Sequence, residues 1–373
     1  MKKKIEKIVN KDIETLLYLG DLDFYPDGKG GQLGDRGYIN GNKFKTIYND
    51  KIYLALNKTS QFHEGQEVEI EVDYDWEKEI SVQHSAQHIL SAAIFDELSG
   101  NTVGFQMGDD YSTIDIDIPS ISKEMIELIS NKTNRVIESN LPVNINEINI
   151  EDIDKYHLRK PVNKKVLENN EDIRIVSIGD YDHSACGGYH VGNTGEIGVL
   201  SIIKTEKVKG NLTRIYFLAG KRAIDFYMKL TNITNDLKKL LTCDEANLLK
   251  RVESLIEDNK IQRNKYKKIL NEKIYKEVNA LEDEIIFVED DEEYIKAFNS
   301  AITSEKYLFI GKNDDTFYLS SRGYNCKKIV DLLRKEYDIK GGAGPFKGQV
   351  KSSVLDIDTF KKFINGNLEA ISG

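Results

Sequence analysis

Cysteine is scarce in this chain. Cys186, Cys243 and Cys326 are the only three, widely spaced and odd in number, which is no basis for a disulfide framework. Histidine is nearly as rare, with six residues: His63, His84, His88, His157, His183 and His190. Long apolar runs are missing as well. The stretch IGVLSII near residue 200 falls far short of the roughly 20 residues that span a bilayer. The N-terminus, MKKKIEKIVNKDIETLLYLG, opens on lysines without the apolar core of a signal peptide, so a cytoplasmic location is expected. There is no G-x-x-x-x-G-K-[ST] phosphate loop and no G-x-S-x-G elbow. Positive charge is in deficit too, since 52 Lys and Arg against 62 Asp and Glu leave a formal net charge of −10. That balance argues against indiscriminate binding to nucleic acid, so any RNA role must rest on local basic patches.

What is present is a 373-residue chain with 40% apolar and 31% charged residues, enough for two or three folded domains. The fold class expected is α+β in four parts. Residues 1–80 hold alternating segments such as VEIEVDY among Gly, Asp and Asn clusters, which predicts a small β-barrel. Within it, KGGQLGDRG is expected to be an exposed loop. Residues 81–220 mix helix and strand around a mostly antiparallel sheet. Their first element, SVQHSAQHILSAAIFDELSG, is expected to be an amphipathic helix closed by Gly100. Residues 221–284 contain almost no Gly or Pro, and apolar residues recur at Leu230, Ile233, Leu237 and Leu240, then at Leu248, Val252, Leu255, Tyr266 and Ile269. This predicts two consecutive coiled-coil-like helices, the second opened by a Thr242–Glu245 capping box. Residues 285–373 alternate short strands with helices as a small α/β domain.

Four of the rare residues fall into two pairs. His84 and His88 are four apart on the expected helix, so both imidazoles leave one face about a turn apart. Cys186 and His190 are also four apart, around a Gly187–Gly188 turn that can aim both inward. Either pair alone reads as incidental. Together they make a three-imidazole, one-thiolate set suited to tetrahedral zinc. His183, close by, is either a proton shuttle or an exposed loop histidine.

HSAQHIL and CGGYHV resemble the H-x-x-x-H and C-x-x-x-H pair of the alanyl-tRNA synthetase editing domain and its free-standing AlaX-type relatives. FYPDGKGGQLGDRGYI resembles the glycine-rich segment of that family's N-terminal barrel, and NTGEIGVLSIIKTEKVKGNLTRIYFLAG the segment after its C-x-x-x-H. The resemblance covers residues 20 to 220 and implies that His84, His88, Cys186 and His190 carry zinc. The sequence departs from the pattern at Tyr189, where the family commonly has Thr, and by one extra residue among Asp27, Gly28 and Lys29. The helical stretch with KGGAGPFKGQVKSS resembles, in reduced form, the C-terminal DHHA-type module of the same synthetases, whose glycine-rich segment contacts tRNA.

The resemblance implies a trans-editing hydrolase that deacylates mischarged alanine tRNA, with serine the expected amino acid and glycine the second. A pocket built for alanine rejects an added hydroxyl by only about 100-fold, so a second hydrolytic sieve is needed. The aminoacylation domain of a full synthetase has no counterpart here, so no ATP is expected. Gly187, Gly188, Tyr189 and Gln106 are the candidates for substrate contact. Lys340, Gly341, Gly342, Lys347 and Lys351 are those for tRNA, because lysines flank a glycine turn whose backbone N–H groups face phosphate. The helices are candidates for a homodimer contact. Two other readings stay open: a non-catalytic tRNA-binding protein whose four-ligand zinc is structural, and a deacylase for another mischarged tRNA.

Overall fold

The computed structural model describes residues 1–162, 172–302 and 304–371, and the chain divides into two compact units, Met1–Asn235 and Asp236–Gly373. The architecture mixes helices with sheets.

The first unit opens with β1 (Lys2–Lys4), β2 (Lys7–Asn10), β3 (Glu14–Tyr18), β4 (Arg36–Ile39), β5 (Asn42–Asn49), β6 (Lys51–Asn57) and β7 (Glu67–Val72). Residue alternation makes these strands. In β7, Val68 and Ile70 are buried while Glu67, Glu69 and Glu71 face water. The sheet order is β1-β7-β4-β5-β6-β3-β2, so two strands that adjoin in sequence lie on opposite edges and the sheet curls around its core. Leu17, Leu19, Phe24, Ile39, Phe44, Leu54 and Ile70 fill that core. The segment KGGQLGDRG is exposed only at its first residues. Gln32 and Asp35 turn back inside and are 0% and 4% exposed, contrary to the expectation of a solvent loop.

Helix α1 (Tyr74–Leu98) starts earlier than its apolar pattern suggests, because the Asp73 side chain caps it by accepting the Trp76 N–H. Its residues from Ile80 to Ile94 are buried on every face, so it is a central helix and not a half-exposed one. It ends before Gly100, at Ser99, which adopts the left-handed conformation itself. Around it lie β8 (Thr102–Met107), β9 (Ser112–Ile116), α2 (Lys123–Glu138), β10 (Val143–Asn149), β11 (Asp172–Ile178), β12 (Asp182–Ala185), β13 (Leu200–Val208) and β14 (Leu212–Ala219). They form two antiparallel sheets, β13-β14-β9-β8 and β10-β11-β12. Ile89, Leu90, Ile94, Ile114, Val176, Ile215 and Phe217 share one core between them. Helix α3 (Gly220–Leu241) follows, with Gly220 and Ala223 buried.

In the second unit, α4 (Leu248–Asn279) precedes β15 (Ile285–Glu289), α5 (Glu292–Ala301), β16 (Leu308–Asn313), β17 (Thr316–Ser321), α6 (Cys326–Glu336), β18 (Lys340–Ala343), β19 (Lys347–Lys351) and α7 (Ile357–Gly366). The sheet order is β15-β16-β17-β19-β18, parallel only between β15 and β16. The expected Thr242–Glu245 capping box does not form. Thr242 takes a left-handed conformation just after α3, and Glu245 enters a short 3-10 turn begun by Asp244. Leu237, Leu240, Val252, Leu255 and Ile269 are exposed along α3 and α4. Among the described residues no helix is long and apolar enough to cross a membrane.

Candidate metal centre

The central helix carries His84 and His88 into the core, where they are 2% and 5% exposed with ring centroids 5.2 Å apart. Strand β12 brings the other pair. Its two-residue period puts Asp182 and Ser184 on the inward face, and Cys186 continues that face just past the strand end. Arg174 then fixes the turn, donating from Nη1 to the carbonyls of Cys186 (2.7 Å) and Gly188 (2.8 Å). His190 follows, its ring 4.6 Å from that of His84 and 4.8 Å from that of His88. The ligand atoms of His84, His88, Cys186 and His190 all lie within 4.8 Å of one another, so the four could hold one metal ion. Among the described residues no other His, Cys, Asp or Glu cluster does so.

The outer nitrogens orient the rings. Gln32 Oε1 accepts the Tyr189 backbone N–H (2.9 Å), which fixes its amide, and it lies 2.7 Å from His84 Nδ1. The proton is therefore on His84 Nδ1, and Nε2 presents its lone pair inward, 3.4 Å from Cys186 Sγ. His190 repeats the pattern, with Nδ1 3.1 Å from Ser85 Oγ and Nε2 3.4 Å from the same sulfur. His88 Nδ1 faces Asp182 Oδ2 at 3.5 Å, an ion-pair distance without hydrogen-bond geometry. Asp182 is held in turn by Arg159 Nε (2.7 Å) and the Ser184 hydroxyl (3.0 Å).

Charge follows this geometry. Burial raises the Cys186 thiol, but the imidazoles of His190, His84 and His88 packed around its sulfur outweigh it and bring the group down to about 2. Burial lowers His88, yet Asp182 and Cys186 carry it up to about 9. Burial depresses His84, and takes His190 to about 3. The cluster therefore offers a thiolate and two neutral imidazoles, the protonation state a metal needs from them.

Gly188 is required by close approach. A Cβ there would sit 2.3 Å from the His84 ring and 2.5 Å from Gln32 Oε1, whereas one at Gly187 would meet nothing within 4 Å. Gly188→Ala is expected to weaken metal binding about 100-fold by displacing His84 from its partner, while Gly187→Ala leaves it within about twofold. Competition against a chromogenic chelator reads both.

The remaining sequence candidates are placed differently. Gln106 is exposed on β8, and its neighbour Phe105 is the side chain that stacks on His84, with centroids 5.2 Å apart. Tyr189 turns toward the N-terminal sheet, its hydroxyl 3.2 Å from Asp35 Oδ2 and its ring 5.6 Å from that of Tyr25. His183 alternates to the far face of β12, with Nδ1 2.8 Å from Ser177 Oγ. Lys340, Gly341, Gly342, Lys347 and Lys351 lie in the β18–β19 hairpin of the second unit. Gln32, Ser85, Arg159 and Asp182 were missed as site residues. The signals were the glycine-rich motif that contains Gln32 and the strand parity that pairs Asp182 with Cys186.

Residues 173–216 match the family described as the threonyl and alanyl tRNA synthetase second additional domain. Over 222 residues the chain is 36% identical to the alanyl-tRNA editing protein AlaX-L of Pyrococcus horikoshii, covering 57% of this chain and 52% of that protein. The chain is thus similar to the AlaX-type, alanyl-tRNA-synthetase-related editing proteins. It is also 30% identical over 244 residues to the alanyl-tRNA editing protein Aarsd1 of Bos taurus, covering 65% of this chain and 54% of that one. An alanine–tRNA ligase of Sulfurisphaera tokodaii is 26% identical over 381 residues, 95% of this chain and 42% of the ligase. The chain thus spans about half the length of the curated relatives it matches.

Proposed function

We propose that the chain is a zinc-dependent aminoacyl-tRNA deacylase that acts in trans on mischarged alanine tRNA, removing serine and secondarily glycine. One observation carries the reading. In a chain related to alanyl-tRNA editing proteins, three imidazoles and a thiolate converge, and each imidazole has its outer nitrogen against a polar partner. The donor set fits zinc, since Zn–S and Zn–N bonds of about 2.3 and 2.0 Å separate ligands in a tetrahedron by about 3.5 Å. Two of the three sulfur–nitrogen separations, those to His84 and His190, are 3.4 Å, and all the ligand atoms lie within 4.8 Å of one another.

When bound, zinc supplies Lewis acidity toward a carbonyl oxygen or a water. The chain's own residues set the stage for it. His84 and His88 are anchored deep in α1, whereas Cys186 and His190 are only partly buried and form the side that an ester approaches. Phe105 covers the His84 ring and keeps water off that side. The carboxylate of Asp182, tied to Arg159, lies 3.5 Å from the outer nitrogen of His88 and faces its ring. Gln32→Leu and Asp182→Asn are each expected to weaken zinc binding 10- to 100-fold, as outer partners of metal-ligating histidines do. Chelator competition with thermal melting separates this loss from misfolding.

The four parts along the chain divide the work in this reading. Residues 1–80 contribute Gln32, residues 81–220 the ligands, residues 221–284 an apolar helical surface for a second copy, and residues 285–373 the DHHA-like tRNA contact. Gln106, Gly187, Gly188 and Tyr189 remain the proposed substrate contacts. A second reading is favoured by the ligand count alone, since four protein ligands are typical of closed, structural sites. Assaying deacylation of seryl-tRNA(Ala) before and after chelation, with zinc restored afterwards, tests the proposal. Activity that chelation leaves unchanged rejects the zinc dependence, and no deacylation by the zinc-loaded protein favours the non-catalytic reading with a structural metal.

A further inference from the structure

The β18–β19 hairpin ends the sheet of the second unit, and its two faces differ. Val350 points into the core beside α6 and α7, with 0% exposure. Lys347, Gln349 and Lys351 alternate to the other face, and the register sets Lys340 opposite Lys351 and Gly342 opposite Gln349. These five are exposed. Two lysines directly across an antiparallel pair repel, and an anion bound between them relieves that repulsion. Glu292, whose field reaches Lys351, is already engaged by Lys296 and the Tyr318 hydroxyl.

At the hairpin tip stands Phe346, 60% exposed. The tip is held rigidly. Phe346 O accepts the Ser321 N–H (2.9 Å), Pro345 O accepts the Cys326 N–H (2.9 Å), and the Gly344 N–H donates to Lys347 O (2.8 Å). At the base, Gly341 has φ +111 and a Cβ there would meet Gln349 O at 2.3 Å, while Arg334 donates to its carbonyl (2.7 Å). An aromatic ring is thus presented to solvent from a fixed backbone, beside three lysines and a side-chain-free glycine surface.

We infer that Phe346 is a stacking platform for an unpaired RNA base, with Lys340, Lys347 and Lys351 tracking the backbone on either side of it. The inference rests on the reading that this unit binds tRNA, and it goes beyond that reading by naming the recognised form: a loop nucleotide that has left its stack. Paired bases offer no open face to a phenyl ring, whereas every unpaired base offers one, and phosphates match the lysines.

The test uses the full chain, an unacylated alanine tRNA transcript and a fully paired RNA duplex of similar length, titrated over a range of salt. Phe346→Ala should weaken transcript binding about 10-fold or more with the salt slope and duplex binding unchanged. Phe346→Trp should retain affinity and show its emission quenched on binding. Lys347→Ala should flatten the slope by roughly 0.7–0.9. Phe346→Ala binding the transcript as tightly as the parent, or weakening transcript and duplex equally, overturns the stacking role while leaving tRNA binding intact. A parent chain that binds neither RNA overturns both.

Discussion

His88→Ala is expected to strip zinc from the protein and to slow hydrolysis of seryl-tRNA(Ala) by at least about 10³-fold. The magnitude follows from the several kcal/mol of transition-state stabilisation that a Lewis-acidic ion supplies. His88 is nearly fully buried and faces Asp182, so the substitution also opens a cavity beside a carboxylate. His88→Gln separates the two causes, because it keeps most of the volume and should lose zinc to the same extent. Arg159 stays paired with Asp182 in both variants. The second unit has its own core of Leu308, Phe317, Leu333 and Phe360, and its hairpin should bind RNA as before. Elemental analysis, a deacylation assay and an RNA titration on each variant check the three statements. Zinc retained at parental levels in either variant would remove His88 from the ligand set.

The cluster of His84, His88, Cys186 and His190 was legible because its spacing is local. A separation of four on a helix and four around a glycine turn can be read from periodicity, and the two pairs then needed only each other. What surrounds them was not local. Gln32 reaches His84 from the loop before β4, 52 positions away, and nothing in the pattern KGGQLGDRG separates an exposed loop from one that folds inward. On β8 it is strand parity that places Phe105 against His84. Phe105 and Gln106 point to opposite faces, so a choice between neighbours decided which side chain meets the site. Thr242 and Glu245 had the spacing of a capping box, but the chain leaving α3 needs a left-handed residue and Thr242 is spent on that turn. The first turns of α1 lay outside the expectation because Tyr74–Glu79 are charged or aromatic and none of them is buried, so the apolar pattern begins only at Ile80. The two units were hinted at by composition, yet the boundary at Asn235 falls inside a continuous helix and leaves no Gly or Pro signal.

The central claim is editing, and selectivity tests it most directly. A deacylase that cannot tell the error from the correct product would destroy both. A site that hydrogen-bonds the serine hydroxyl leaves polar groups unpaired when alanine enters, and such mismatches give up to roughly 10⁴-fold discrimination. The decisive measurement is the single-turnover hydrolysis of alanine tRNA charged separately with serine, glycine and alanine, at one saturating concentration of the zinc-loaded protein. The account predicts seryl ester cleaved fastest, glycyl ester next, and alanyl ester slower than seryl by about 10³-fold or more. Equal rates on the seryl and alanyl esters would contradict it.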